Sequence, residues 1–198
     1  MARPRELWGR RSVAVGVTLL AIAVIGAIVL IIVGGGDDGN SDKAAPADRV
    51  AQLQDQLLTR TAANPEAGIL VRRPAKWALT KQNGAITLRS PGSCVAMSMS
   101  APVSAADAKG LHDDALAALK ATYGKLNVQS AGNGRVGGIP TRSETVGLTK
   151  NGNDLRVLLS VGTGKKNAYL TEVVLSHPSC QADLKVAQLI LTSTQYTK

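Results

Sequence analysis

The longest apolar stretch of the chain lies near its N-terminus. Ser12–Val33 contains no charged side chain, and Ser12 and Thr18 carry its only hydroxyl groups. A helix rises about 1.5 Å per residue, so about 20 apolar residues cross the roughly 30 Å hydrocarbon core of a bilayer. The pattern therefore predicts a single transmembrane helix over Ser12–Val33.

The charges that flank this stretch predict its orientation. Residues 1–11 contain four arginines and one acid, Glu6, whereas Asp37 and Asp38 follow the apolar stretch. By the positive-inside rule, residues 1–11 form a cytoplasmic tail, and the chain after the helix lies outside the cytoplasm. A cleaved signal peptide is the alternative, although its apolar core usually spans only about 7 to 15 residues. We expect a single-pass protein of the cell membrane with an extracytoplasmic C-terminal part.

Residues 34–63 predict a linker followed by a short helix. Gly34–Pro46 is rich in Gly, Asp and Ser and contains no apolar run, a composition typical of linkers. Ala47–Ala62 is helix-prone, and Leu53 and Leu57 belong to its apolar stripe. This helix either packs on the domain that follows or forms a short stalk that pairs with another chain.

Residues 64–198 consist of β-prone runs separated by turns, and they predict one folded domain. The predicted strands are Ile69–Val71, Trp77–Leu79, Ile86–Leu88, Cys94–Ser100, Leu126–Ser130, Ile139–Leu148, Leu155–Val161 and Tyr169–Leu175. The predicted helices are Ser104–Tyr123 and Cys180–Gln195, with Ser104 and Ser179 as their N-caps. Met97 and Met99 share one face of their strand and are expected in the core. The pattern predicts an α+β domain in which helices flank a sheet of antiparallel strands.

The net charge of the whole chain overstates the charge of the part that follows the predicted cytoplasmic tail. Four of the 23 basic residues and one of the 14 acidic residues precede Ser12, so the rest of the chain carries 19 basic and 13 acidic residues, a formal charge of +6. The basic residues are scattered, and only Arg72-Arg73 and Lys165-Lys166 are adjacent. Scattered charge is typical of a solvated surface, so no nucleic-acid partner is expected.

Cys94 and Cys180 are the two cysteines of the chain, and both follow the predicted membrane helix. Disulfides persist in oxidising compartments outside the cytoplasm, so we expect these two residues to be joined. A reactive thiol pair or a metal site is the alternative. The sequence offers only His112 and His177 as further ligands, without the spacing of a zinc site.

Three short motifs have the form of catalytic or ligand-binding signatures. His112, Asp113 and Asp114 are consecutive on a predicted helix, where neighbours point in different directions, so we expect an exposed polar face. Gly132–Gly137 matches GxGxxG, but the next residues continue into a predicted strand rather than a helix, so we expect a hairpin turn or bulge. Gly164-Lys165 lacks the rest of a phosphate-binding loop and predicts another turn. We assign no catalytic, cofactor-binding or metal-binding residue.

Three local motifs resemble the PsbP-like fold family, which includes the PsbP protein of photosystem II, the yeast Mog protein and actinobacterial envelope proteins of the LpqN type. These motifs are a Pro and a Trp before a hairpin in Pro74–Trp77, the strand end Ala101-Pro102 before a helix, and the Gly-Ile-Pro-x-Arg strand Gly138–Arg142. The resemblance covers about two thirds of the chain and implies an α-β-α sandwich with a central antiparallel sheet. It also implies a largely non-enzymatic family without shared catalytic residues.

The predicted tether and this resemblance favour a membrane-tethered, extracytoplasmic binding or accessory domain of the cell envelope. Its partner would be an unknown envelope protein or a lipid, and no cofactor is expected. One alternative is a carrier that holds a lipid or another small apolar ligand between sheet and helix. Another is a hydrolase that uses His112 or His177, although neither lies in a recognisable nucleophile motif.

Overall fold

A computed structural model of the chain describes residues 46–82, 84–150, 153–177 and 179–196. The predicted cytoplasmic tail, the predicted membrane helix at Ser12–Val33 and nearly all of the predicted linker lie outside these residues. Among the described helices, none combines the length and the apolar character that crossing a bilayer requires.

The described chain forms three α-helices and ten strands. The helices are α1 (Pro46–Leu57), α2 (Leu111–Tyr123) and α3 (Gln181–Ser193). The strands are β1 (Arg60–Asn64), β2 (Ile69–Arg73), β3 (Ala78–Gln82), β4 (Ala85–Arg89), β5 (Val95–Ser104), β6 (Leu126–Val136), β7 (Ile139–Lys150), β8 (Asn153–Thr163), β9 (Asn167–Leu175) and β10 (Gln195–Tyr196). Short 3-10 helices, Pro91–Ser93 and Ala105–Asp107, lie on either side of β5.

Seven strands form a central sheet in the order β3-β4-β5-β9-β8-β7-β6, and every neighbouring pair is antiparallel. The remaining strands form a smaller antiparallel sheet in the order β1-β2-β10. The predicted α+β class and central antiparallel sheet are confirmed. The predicted hairpin before residue 90 is confirmed as β3 and β4, with Gly84 at a φ of +75° between them, a conformation that glycine adopts without steric cost.

The helices α2 and α3 cover opposite faces of the central sheet. Ala115 of α2 packs against Leu159 and Leu170, which together form a small apolar cluster. Thr194, directly after α3, contacts Met99, with 3.6 Å between its hydroxyl oxygen and the methionine sulfur. Leu159 is in register with Ser98 across β9, and successive residues of a strand point to opposite faces, so Met99 lies on the other face.

The core lies between the central sheet and α3, and it continues under the small sheet. Met97 and Met99 are both completely buried, which confirms the prediction that they fill the core. The largest fully buried side chains are Leu58, Ile69, Ile86, Leu88, Met97, Met99, Leu159, Ile190, Val71 and Val95. Each buried leucine or isoleucine of this kind stabilises the fold by roughly 1.5–3 kcal/mol through removal of apolar surface from water.

The predicted helix Ala47–Ala62 is wrong in its second half. The helix α1 ends at Leu57, and Arg60–Asn64 instead forms β1, which pairs residue by residue with β2. Pairing with a neighbouring strand outweighs the helix propensity of these residues, which include Ala62 and Ala63. The helix α1 packs on the domain rather than standing apart as a stalk, because Leu58 is 1% exposed and the Gln54 amide donates to the Thr192 hydroxyl at 2.8 Å.

The predicted helix start at Ser104 is also wrong. The strand β5 continues to Ser104, which is in register with Asn167 of β9, and α2 begins only at Leu111. The Ser104 hydroxyl donates to the Asp107 carboxylate at 2.6 Å instead of capping a helix. Gly110, at a φ of +93°, provides the sharp change of direction that precedes α2.

The predicted loop that contains GxGxxG is largely a strand. The strand β6 runs to Val136, so residues 131–136 pair with β7, and the turn consists only of Gly137 and Gly138. The register shifts between Val128 and Ser130. The expected hairpin turn is therefore present at the end of the motif, whereas the register shift lies before it, and the pairing extends further along the chain than the glycine content suggests.

Candidate functional site

The largest cluster of charged side chains with partly buried members joins the start of α2 to β7. His112 is 5% exposed, and its Nε2 lies 3.8 Å from Oε1 of Glu144, which is 8% exposed. The other ring nitrogen, Nδ1, lies 3.4 Å from Oδ1 of Asp113. Arg142 donates to the Glu144 carboxylate at 3.1 Å and lies 3.8 Å from Asp113. These four residues bridge a helix and a strand.

The burial of His112 corrects the prediction that His112, Asp113 and Asp114 form an exposed polar face. The His112 ring lies on the side of α2 that faces the sheet, together with Leu111 and Ala115. Asp113 and Asp114 remain exposed. Within the described residues, the ion-pair partners of His112 are both carboxylates, and its Nε2 makes no hydrogen bond. In a catalytic triad, the histidine contacts the hydroxyl or thiol of the nucleophile. The contacts of His112 therefore favour a structural role.

The second histidine, His177, lies before α3 and forms a local turn. Its Nδ1 is 2.8 Å from the Ser179 hydroxyl and accepts the Ser179 backbone N–H at 3.2 Å. Both residues are exposed, and the predicted helix cap at Ser179 is replaced by this contact, since α3 begins at Gln181 without a side-chain cap. The arrangement fixes the corner between β9 and α3.

Cys94 and Cys180 form a disulfide, as predicted, with their Cα atoms 5.5 Å apart. The bond connects the start of β5 to the start of α3, which are separated by 86 residues. Within the described ranges, no group of three or more His, Cys, Asp and Glu side chains is arranged to hold a metal ion. The cysteines thus act as a structural link between the central sheet and its covering helix.

Hydroxyl side chains line the α3 side of the central sheet near the C-terminus. The Tyr196 hydroxyl is 2.9 Å from that of Thr171, and its ring stacks on Tyr169 with 4.0 Å between centroids. Burial raises the pKa of Tyr196 to about 12. Ser143 and Ser160 lie in the same row of the sheet, with 2.7 Å between their hydroxyl oxygens.

The α2 side carries one further acid, Glu172 of β9, which is partly buried. Burial raises its pKa above the usual carboxyl value. In the same row of the sheet, Glu172 stands between Leu159 of β8 and Ser98 of β5. The same burial effect, followed by the nearby charge of Glu172, raises the pKa of Tyr123. Glu172 and Tyr123 are therefore partly enclosed by the scaffold.

Two exposed surfaces are prominent on the described domain. Leu53 and Leu57 of α1 are 46% and 42% exposed, and Val128 of β6 is 55% exposed. The strand β6 forms one edge of the central sheet, and nearly all of its residues are exposed. A sheet edge presents backbone N–H and C=O groups that can pair with another chain, so β6 is the surface best equipped for recognition.

Solved structures identify the architecture. Cyanobacterial PsbP (CyanoP) from Synechocystis superposes with a TM-score of 0.51 at 11% identity, over 69% of this chain and 91% of that protein. The fold is PsbP-like. This finding confirms, at the level of the fold, the resemblance noted from the sequence motifs.

Other solved structures resemble the PsbP-like domain less closely. LpqN of Mycobacterium tuberculosis, described as involved in cell envelope biogenesis, gives a TM-score of 0.45 at 15% identity, over 66% of this chain and 83% of LpqN. A protein of Bacteroides thetaiotaomicron gives 0.49 at 13% identity over 70% of this chain, which spans about half (48%) of that structure. No protein-family model and no curated protein sequence matches the chain.

Sequence reasoning missed the exposed edge of the PsbP-like domain. Leu126–Val136 contains two glycines and two asparagines and lacks the alternation of apolar and polar residues that marks a half-buried strand. Its strand conformation depends on β7, which carries the apolar residues. The one usable signal was the adjacent Gly137-Gly138 pair, which favours a two-residue hairpin turn and therefore a strand on each side.

Proposed function

We propose that this chain is a membrane-tethered, extracytoplasmic domain that binds a protein of the cell envelope and does not catalyse a reaction. The main support for the proposal is that the cysteines and histidines of the described domain have structural roles. Cys94 and Cys180 are joined to each other, His112 lies between two carboxylates, and His177 forms a local turn. A domain built in this way presents backbone and polar surface to a partner.

The proposed placement is supported by the sequence and the disulfide. The uncharged stretch Ser12–Val33 has the length of a membrane span, and arginines precede it while aspartates follow it. A disulfide across 86 residues is stable in an oxidising compartment. Both observations favour a domain that lies outside the cytoplasm and close to a membrane.

The proposed alternative of an apolar-ligand carrier receives less support from the packing. Ala115 and Leu116 of α2 pack directly on Leu159 and Leu170. On the other face, Ile190 of α3 belongs to the same core cluster as the sheet residues and is completely buried. Side chains of the protein therefore occupy the spaces between sheet and helices that a carrier would need for its ligand.

Site-specific photo-crosslinking of the full chain in its source cells tests the proposal. A photoreactive amino acid would replace Asn133 on β6, Leu53 on α1 or Thr80 on β3, three exposed positions on different surfaces. We expect a discrete adduct of one envelope protein from at least one surface, identified by mass spectrometry. A matched probe at buried Leu159 should give none. Absence of adducts at all three surfaces, with the protein present in the membrane, would contradict the proposal.

A further inference from the structure

The free edge of β6 contains a regular stretch with little of the usual protection of edge strands. From Ser130 to Val136, each residue is in register with β7, whereas the register shifts just before Ser130. Within the described residues, β7 is the only strand that pairs with β6. Edge strands are commonly protected by charged side chains or proline, and Arg135, next to the turn, is the one such residue in Ser130–Val136.

The turn that ends β6 determines which backbone groups face outward. Gly137 and Gly138 have φ values of +58° and +78°, as the two-residue turns that favour hairpins require. The pair next to such a turn, Val136 and Ile139, exchanges both of its hydrogen bonds, and bonded and non-bonded pairs then alternate. The N–H and C=O groups of Ala131, Asn133 and Arg135 therefore point away from β7.

Proline at residue 140 is consistent with this assignment. Pro140 has no N–H and stands opposite Arg135, in a pair that needs no hydrogen bond between β6 and β7. Three residues of β6 thus offer a ladder of outward donors and acceptors at alternate positions. This is the pattern with which an added antiparallel strand forms its hydrogen bonds.

The two faces of this stretch differ in the side chains that they would accept. Gly132 and Gly134 lie on the α3 side, where a Cβ atom at Gly132 would meet nothing within 4 Å and one at Gly134 would meet only the Thr141 and Ser143 hydroxyls, at 3.6 and 3.9 Å. Arg135 lies on the α2 side, is exposed, and donates to the Gly138 carbonyl at 2.7 Å. A bulky side chain fits over the glycines, and a carboxylate fits beside the arginine.

We propose that Ser130–Val136 accepts an extended segment of a partner protein as an eighth strand of the central sheet. The segment alternates bulky apolar or aromatic residues, which cover Gly132 and Gly134, with acidic residues, which face Asn133 and Arg135. This inference rests on the proposed function and specifies the class of partner. Backbone hydrogen bonds supply the affinity, and the alternating side chains supply the selectivity.

A second copy of this chain is a poorer occupant of the same edge. Two antiparallel β6 strands centred on Asn133 would place Gly132 of one copy opposite Gly134 of the other. Such pairs contribute little cross-strand packing, since glycine has no side chain and weakens a strand. The glycines are covered only by a different sequence, which favours a separate partner.

The test uses the full chain in detergent micelles and the synthetic peptide Val-Glu-Tyr-Glu-Tyr-Thr-Val. In its antiparallel register, both tyrosines lie over the glycines and one glutamate faces Arg135. We expect saturable changes in the NMR amide signals of Ala131, Asn133 and Arg135. The same peptide N-methylated at both glutamates should bind at least roughly tenfold more weakly, because it loses two backbone donors. A peptide with lysine at both glutamate positions should also bind more weakly.

The variant Asn133→Pro removes one outward N–H without removing a bond to β7, and Asn133→Ala is its matched control. We expect the proline variant to lose peptide binding and the alanine variant to keep it. Equal binding of the methylated and unmethylated peptides, or an absence of shifts at the three amides, would overturn strand addition. A peptide-independent dimer that shifts the same amides would assign the edge to a second copy and would also overturn it.

The crosslinking results distinguish a failure of strand addition at β6 from a failure of the proposed binding function. Crosslinks from Leu53 or Thr80 without crosslinks from Asn133 would leave a binding domain in place but remove β6 as its recognition surface. The unmodified chain, with the methylated and the unmethylated peptide, provides the deciding comparison for strand addition.

Discussion

At the scale of single residues, burial controls the charge state of the side chains that line the central sheet. Glu172 on the α2 side and Tyr196 on the α3 side both have a raised pKa, and desolvation is the main cause for each. Desolvation disfavours the charged form of an acid. The protein therefore gains stability at pH values at which these groups stay neutral.

Glu172 gives this effect a measurable pH dependence. Its pKa is higher in the folded protein than in the unfolded chain, so its stabilising contribution is complete below the unfolded value and is lost as pH rises through the folded value. We expect Glu172→Gln to remove this loss. The variant should gain stability relative to the natural protein as pH rises above the usual carboxyl range. Urea unfolding of both proteins at several pH values measures this gain. If Glu172 were solvated, the unfolding free energies of the two proteins would change with pH in parallel.

Individual residues also show which inferences the sequence supports. The alternation around Met97 and Met99 is sufficient to predict their burial, because a strand has a fixed period of two. The burial of His112 could not be predicted in the same way. It depends on the direction in which α2 meets β7, and that direction is set by residues distant in the sequence, including Glu144.

At the scale of elements, α1 and the disulfide attach the outer parts of the domain to the core. Arg72 of β2 pairs with Asp55 of α1 at 2.8 Å and also donates to the Leu58 carbonyl at 3.1 Å. The surface ion pair alone contributes roughly 0–1 kcal/mol. Burial of Leu58 is therefore the main reason that α1 stays docked.

Adjacent leucines at the end of α1 test this docking. Leu58→Ala should lower the free energy of unfolding by about 2–4 kcal/mol, because Leu58 is 1% exposed and its removal leaves a cavity. Leu57→Ala is the matched control, since Leu57 is 42% exposed and its replacement should change stability by less than about 0.5 kcal/mol. Equal losses in urea unfolding would show that α1 packs in a different orientation.

The disulfide provides a second prediction for an element contact. Replacement of Cys94 and Cys180 together by serine should lower the free energy of unfolding by about 2–5 kcal/mol, because a long loop in the unfolded chain is then no longer closed. Thermal or urea unfolding measures the loss. Intact mass after alkylation without a reductant gives the control, and two alkylated thiols in the natural protein would contradict the bond.

Element boundaries were the least predictable feature of the fold. Residues 60–64 and 131–136 have little strand character of their own and become strands because β2 and β7 pair with them. Strand formation by such residues depends on partners far along the chain, which local propensity does not describe. The part of the β6 edge after Ser130, which is central to the proposed binding mode, was for this reason assigned to a turn or bulge.

At the scale of the whole molecule, the structure describes the folded domain, and the sequence predicts the membrane helix that precedes it. The described residues form a PsbP-like domain, while the membrane helix at Ser12–Val33 remains a prediction from composition and flanking charge. Residues 12–198 carry a formal charge of +6, against +9 for the whole chain, because residues 1–11 contribute four arginines and one glutamate.

The extracytoplasmic position of the domain is the central claim of the proposed function. The proposed envelope partner depends on it, and so does the expectation that the disulfide persists in the cell. The most direct measurement joins a phosphatase that is active only outside the cytoplasm to the full chain after Lys198, with a cytoplasm-active fluorescent protein at the same position as the control. We expect an active phosphatase and no fluorescence. An inactive phosphatase with a fluorescent control fusion would contradict the proposed topology and the envelope function together.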